Sequence, residues 1–159
     1  MKEHVVHPRI TALVLALFLC LSVAAAQAAD VPPDLQHPGA IHLTLCYEGE
    51  PIAGGTVSAR RVAEIVLRGS VYQYALTEAF APSHIDLGDL SGTGLVQQLT
   101  SYAEYAAIPG LTVPVSSDGS ADFEALPLGV YLITQEETAQ DFMPLSPFLV
   151  TVPYEADGA

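Results

Sequence analysis

From Ile41 onward the chain is written in period two. Ile41, Leu43, Leu45 and Tyr47 fall on one side of the alternation and His42, Thr44, Cys46 and Glu48 on the other, the pattern of a half-buried strand. Glu48-Gly-Glu-Pro51 predicts a turn, because glycine and proline supply its special backbone angles. Thr56 to Leu67 is rich in β-branched residues and predicts a second strand; Val71 to Thr77 predicts a third, with Tyr72, Tyr74 and Leu76 on one face. Then the period changes. Leu95, Leu99, Tyr102 or Ala103, and Ala106 recur at helical spacing with Gln97, Gln98 and Glu104 between them, and Pro109-Gly110 stops that helix. Strand pattern resumes at Leu111 to Val115, crosses a Ser-Asp118-Gly119 turn and returns through Ala121 to Phe123. Tyr131 to Gln135 and Phe148 to Val152 complete the set. Short strands punctuated by glycine, proline and Asp-Gly, with one helical insertion, predict a mainly β protein built as a β-sandwich.

The two ends follow other rules. Lys2 and Arg9 flank a polar start, an apolar run begins at Thr11, and Ala26-Gln-Ala28 closes it. A basic start, a short apolar core and a small-x-small site predict a secretory signal over residues 1–28, cleaved after Ala28. The run is too short for a membrane span, which takes about 20 apolar residues, and Leu19 before Cys20 argues against lipidation there. Residues 29–39, with Pro32, Pro33 and Pro38, form a flexible lead-in to one domain over 40–154, and 155–159 a tail. Asp157-Gly158 offers a hairpin turn with no strand to return, which leads us to expect a fragment or an early stop.

Charge narrows the partners. The chain carries 18 acidic and 5 basic side chains, a net charge of −13. Removing the signal takes away Lys2, Glu3 and Arg9, which leaves 17 acidic groups against Arg60, Arg61 and Arg68, a net charge of −14. Such a surface repels phosphate backbones and anionic lipid, so neither nucleic acid nor a membrane is an expected partner. Cys46 is the one cysteine left after processing, so an internal disulfide is not expected.

Three ordered stretches carry a resemblance. They are Gly39-Ala-Ile-His-Leu-Thr-Leu with Gly49-Glu-Pro-Ile-Ala-Gly-Gly-Thr-Val, then Phe123-Glu-Ala-Leu-Pro-Leu-Gly129-Val-Tyr131-Leu-Ile-Thr-Gln135, then Pro147-Phe-Leu-Val-Thr-Val-Pro153. Together they resemble the prealbumin-like domains of Gram-positive pilins and adhesins, the Cna protein B-type or SpaA-like modules. The resemblance implies a Greek-key, Ig-like sandwich and a structural or adhesive role at the cell surface, with other pilus or wall proteins, or a host protein or glycan, as partners. An alternative is a free secreted module that binds a glycan or a protein. No cofactor is implied.

Many such domains weld a first-strand lysine to a late asparagine or aspartate, with a buried glutamate moving the proton. The amine must be neutral to attack, and a protonated carboxyl must polarise the acceptor. Here no lysine lies near Thr44 to Cys46, and Lys2, the only lysine, leaves with the signal. The glutamate position holds Gln135, which cannot exchange a proton near neutral pH and is expected instead as a buried hydrogen-bonding group beside Tyr131 and Ile133. An internal isopeptide bond is therefore not expected. Attachment by sortase also lacks its lysine, and Leu126-Pro-Leu-Gly-Val130 only echoes the sorting signal.

Other chemistry is thin. His42 and Cys46 share a strand face but stand about 13 Å apart at the usual rise, too far to share one zinc ion. Asp86, Asp89, Ser91 and Thr93 miss the register of a calcium loop, and capping of the helix by Ser91 or Thr93 is the plainer expectation. Glu136, Glu137 and Asp141 sit where a strand runs into a loop, and no nucleophile elbow or phosphate loop occurs, so no catalytic residue, metal ligand or enzymatic activity is expected. Tyr102 and Tyr105, with Tyr72 and Tyr74, are the candidate binding surface.

Overall fold

The computed structural model describes residues 37–153. The signal sequence, most of the lead-in and the Asp157-Gly158 turn lie outside them. The strands are β1 (Gly39–Thr44), β2 (Cys46–Tyr47), β3 (Glu50–Pro51), β4 (Thr56–Arg68), β5 (Val71–Leu76), β6 (Leu111–Pro114), β7 (Ser120–Leu126), β8 (Gly129–Glu137) and β9 (Phe148–Val152). A 3-10 turn spans Ala81–Ser83, and the helix, α1, spans Thr93–Tyr105.

One five-stranded antiparallel sheet organises the molecule. Its order is β5-β4-β8-β9, with β6 also paired to β4. Strand β4 is long enough to serve three partners: Thr56 to Ala59 pair with β6, Ala63 to Arg68 with β5, and its other edge with β8. A second sheet, β1 with β7, closes over one face. Ile41, Val57, Ala59, Phe123, Tyr131 and Ile133 are buried in the core between them. Helix α1 covers the opposite face, where Leu95, Leu99 and Ala103 pack with Phe80, Val62, Val130 and Leu132. This is the expected mainly β sandwich with one helical insertion. Strand β8 is buried on both sides from Gly129 to Ile133, and so it reads as a continuous apolar run.

Two details differ from expectation. The first strand does not run unbroken to Glu48. At Leu45 it changes partner, with the Leu45 amide donating to Gly119 O at 2.8 Å and Leu45 O accepting from the Ile52 amide at 2.9 Å. Beyond that point Tyr47 is exposed rather than inward-facing, because β2 pairs with β3 and no longer belongs to the sheet that β1 forms with β7. The helix begins at an N-cap, Gly92, that contributes no side-chain bond. Ser91 is instead held by Asp89, whose Oδ1 accepts from the Ser91 amide at 2.9 Å and its hydroxyl at 2.6 Å.

Candidate functional site

The break at Leu45 opens a groove at one end of the sandwich. Leu43, Thr44, Leu45 and Cys46 form one wall, Gln135 and Phe148 another, and the loop carrying Phe142, Met143 and Leu145 folds across, enclosing about 260 Å³. Tyr47 meets Phe142 edge to face with ring centres 6.2 Å apart, a favoured aromatic geometry. Apolar carbon dominates the lining; its polar side chains are Gln135, Thr44 and Cys46.

Gln135 stands on β8 against the end of the first strand, and both line this groove. It is half-buried rather than buried. The β1–β7 sheet ends at the Thr44–Ser120 pair, so the cover over β8 thins after Ile133. The Gln135 Oε1 accepts from the Leu145 amide at 2.7 Å, which ties the loop down over the groove. These walls offer leucines, a thiol and a carboxamide.

On the helix side, Arg60 builds a second polar cluster that the sequence pattern did not single out. Its Nε donates to Ile108 O at 2.9 Å, one terminal nitrogen to Thr134 Oγ1 at 2.7 Å and the other to Glu136 Oε1 at 2.9 Å. Burial pushes the Glu136 carboxyl up, but hydrogen bonds from Arg60 and Thr134, the Arg60 charge and Ser58 outweigh that and hold it below its ordinary value. The signal was present as alternation: Thr134 and Glu136 lie on the β8 face opposite Gln135. Glu136 thus pairs with an arginine, while Asp141 holds a left-handed turn conformation at φ 68°.

The remaining candidates are dispersed. Tyr102 packs its ring against Phe80, with centres 5.8 Å apart, and belongs to the margin of the helix-side core. Tyr105, three residues on, is 89% exposed. Tyr72 and Tyr74 lie on β5, with Leu76 between them and the chain leading to the helix. His42 Nδ1 is 2.9 Å from Asp122 Oδ1 on the neighbouring strand, and Cys46 is exposed. Asp86 accepts from the Gly88 amide at 3.0 Å, and hydrogen bonds from Ser91 hold the Asp89 carboxyl below its ordinary value. Among the described residues, no helix is long and apolar enough to cross a membrane.

No family model matches the chain, and no curated protein does. Among solved structures, it is similar to the full-length major pilin SpaD from Corynebacterium diphtheriae, at 20% identity and a TM-score of 0.48 over 79% of this chain. The chain spans 27% of that pilin's length.

Proposed function

We propose that this chain is a non-catalytic structural or adhesive module of the pilin and adhesin type, exported by cleavage after Ala28 to the outside of a Gram-positive cell, and without an internal isopeptide bond. The ordered motifs of the prealbumin-like domains support it, and the motif stretch Phe123 to Gln135 coincides with β7 and β8 at the heart of the sandwich. The observation that carries the reading is the groove at the end of the first strand, whose lining, with Leu43, Leu45 and Gln135, includes neither an amine nor a carboxyl side chain. Stability must then come from packing and non-covalent polar contacts.

Intact mass spectrometry of the exported protein tests both halves. The expected mass is that of the chain from Ala29 with nothing lost. A species about 17 Da lighter, through ammonia released on amide exchange, sinks the uncrosslinked module, and a retained signal sinks the export.

One observation favours a second reading, a free secreted module binding a protein or glycan. The groove mouth is apolar and open, with Met143 at 88% exposure beside Phe142 and Leu145. Binding of extracellular protein or glycan lost on Phe142→Ala, but kept on Tyr102→Ala and Tyr105→Ala, would place recognition in the groove rather than on the helix.

A further inference from the structure

The groove at the end of the sandwich is apolar within and acidic at its mouth. Leu45, Ile52 and Phe148 line it, and none of its lining side chains carries a charge. Phe142, Met143 and Leu145 are exposed on the loop that crosses it, and exposed Tyr47 touches the Phe142 ring. Large apolar side chains gathered in water around a concavity gain by receiving apolar side chains of a partner.

The lining favours a polypeptide over a sugar. A sugar hydroxyl costs free energy when it enters a cavity that offers it no hydrogen bond. The polar side chains here are Thr44, Cys46 and Gln135, and the Gln135 oxygen already accepts from the Leu145 amide. The Tyr47 and Phe142 rings meet each other edge to face, so they form no single flat platform for stacking. Met143 suits a polypeptide, because its unbranched side chain adapts to varied apolar groups and methionine is favoured on peptide-binding surfaces.

Charge decides what flanks those apolar groups. The hairpin from Cys46 to Ile52 begins and ends on groove residues, and it carries Glu48 and Glu50, both exposed. Glu50 pairs with Tyr47 across that hairpin, so the two side chains share a face. Exposed Asp141 directly precedes Phe142 on the crossing loop. No cation offsets them. Among the described residues the three arginines all stand on β4, which contributes nothing to the lining, and Arg60 is paired with Glu136. An acidic partner is therefore repelled at this mouth and a basic one attracted.

We propose that the groove receives a short polypeptide segment of a partner, apolar at its centre and flanked by lysine or arginine. The proposal rests on the reading of this groove as a recognition surface and adds the partner's chemistry. The apolar centre enters beside Leu45 and Phe142, and the flanking cations lie against Glu48, Glu50 and Asp141.

The chain contains no tryptophan, so an indole in the probe reports its own burial. Three synthetic peptides share a Leu-Trp-Leu centre and carry two lysines, two serines or two glutamates at each end. Chitohexaose, a neutral oligosaccharide followed by calorimetry, is the remaining probe. The lysine-flanked peptide is expected to bind the exported chain with blue-shifted emission, and to weaken as NaCl rises to about 0.5 M. The serine-flanked peptide should bind about threefold to tenfold more weakly, the worth of a few exposed ion pairs, and the glutamate-flanked one more weakly still. Glu48→Gln combined with Glu50→Gln should erase most of the lysine advantage. Phe142→Ala should abolish the emission shift, and Tyr105→Ala should leave it unchanged. Equal binding of lysine and serine flanks overturns the proposal while leaving the groove a recognition surface. Chitohexaose binding that is lost on Phe142→Ala, with no peptide bound, does the same. Lysine-flanked binding that survives Phe142→Ala is attraction to net charge alone and also overturns it. If no probe binds, the recognition reading falls together with the proposal.

Discussion

The carboxamide oxygen of Gln135 accepts a 2.7 Å hydrogen bond from the amide of Leu145, ten residues later in the chain. That bond closes the loop containing Phe142 and Met143 over the groove and gives the side chain a role that needs no proton transfer. Gln135→Ala should free the Leu145 amide and loosen the loop. The expected loss is about 1 kcal/mol in urea unfolding, the usual net worth of one such bond. Faster proteolysis should be confined to residues 138–147. Gln135→Glu keeps an acceptor and should cost less at neutral pH. Equal losses from both variants would contradict this account.

Arg60 gives the acid dependence. Glu136 titrates below its ordinary carboxyl value in the folded protein, so its contribution is fully present above the unfolded pKa, near 4.5. It is lost as pH falls through the lower folded value. Stability measured from pH 7 downward should begin to drop below about pH 4.5, and Glu136→Gln should flatten that part of the profile. Arg60→Ala removes three hydrogen bonds at once. It is expected to cost about 2–3 kcal/mol, since a charged hydrogen-bonded group is worth more than a neutral one. Arg60→Lys should recover only part, because an ammonium lacks the planar fork that reaches Ile108 O, Thr134 and Glu136 together.

These two clusters show what the sequence could and could not reveal. β-branched composition located β4 and β5, and the resumed strand pattern located β8 and β9, to within a few residues. The helix was legible through Leu95, Leu99 and Ala103, all of which are buried. The change of partner at Leu45 was not legible, because alternation continues unbroken to Tyr47 while the hydrogen bonds pass to Gly119 and Ile52. Strand pairing is a nonlocal choice that periodicity cannot express. Arg60 escaped for a similar reason: its partners lie 48 to 76 residues away. Gln135 was legible through its place after Tyr131 and Ile133, yet its bond to Leu145 depends on how a loop closes.

The helix-side core should be the molecule's most sensitive packing layer. Phe80 and Leu99 are fully buried there against Val62, Val130 and Leu132. Leu99→Ala leaves a cavity that the sheet cannot collapse to fill and should cost about 2–5 kcal/mol. Tyr105→Ala, three residues beyond Tyr102 on the same helix, should change stability by less than about 0.5 kcal/mol, as expected for an exposed position. Chemical denaturation of the two variants separates a helix held by its apolar face from one held by its tyrosines.

The Asp118-Gly119 turn joins β6 to β7, and its two residues should fail in different ways. Asp118 Oδ1 accepts from the hydroxyls of Ser116 and Ser120, each at 2.7 Å, and from the Ser120 amide at 3.0 Å. Those bonds, the Ser116 hydroxyl first, lower its pKa from 3.8 to about 2. The sign is that of Glu136 but the window is lower. The contribution is intact above pH 3.8 and fades as pH falls toward 2, so Asp118→Asn should alter only the most acid part of the unfolding profile. Gly119 is bound by geometry instead. It holds φ at +80°, and an added Cβ would run into Leu45 O, the carbonyl that accepts from the Ile52 amide where the first strand changes partner from β7 to β3. Gly119→Ala should therefore cost more than the roughly 1–2 kcal/mol of left-handed strain and lower stability at every pH. Gly49→Ala, at φ +88° with open space around it, supplies the comparison, since it carries the strain without the collision. If the two glycine variants unfold at the same urea concentration, the close approach of the turn to Leu45 is not what holds the first strand in place.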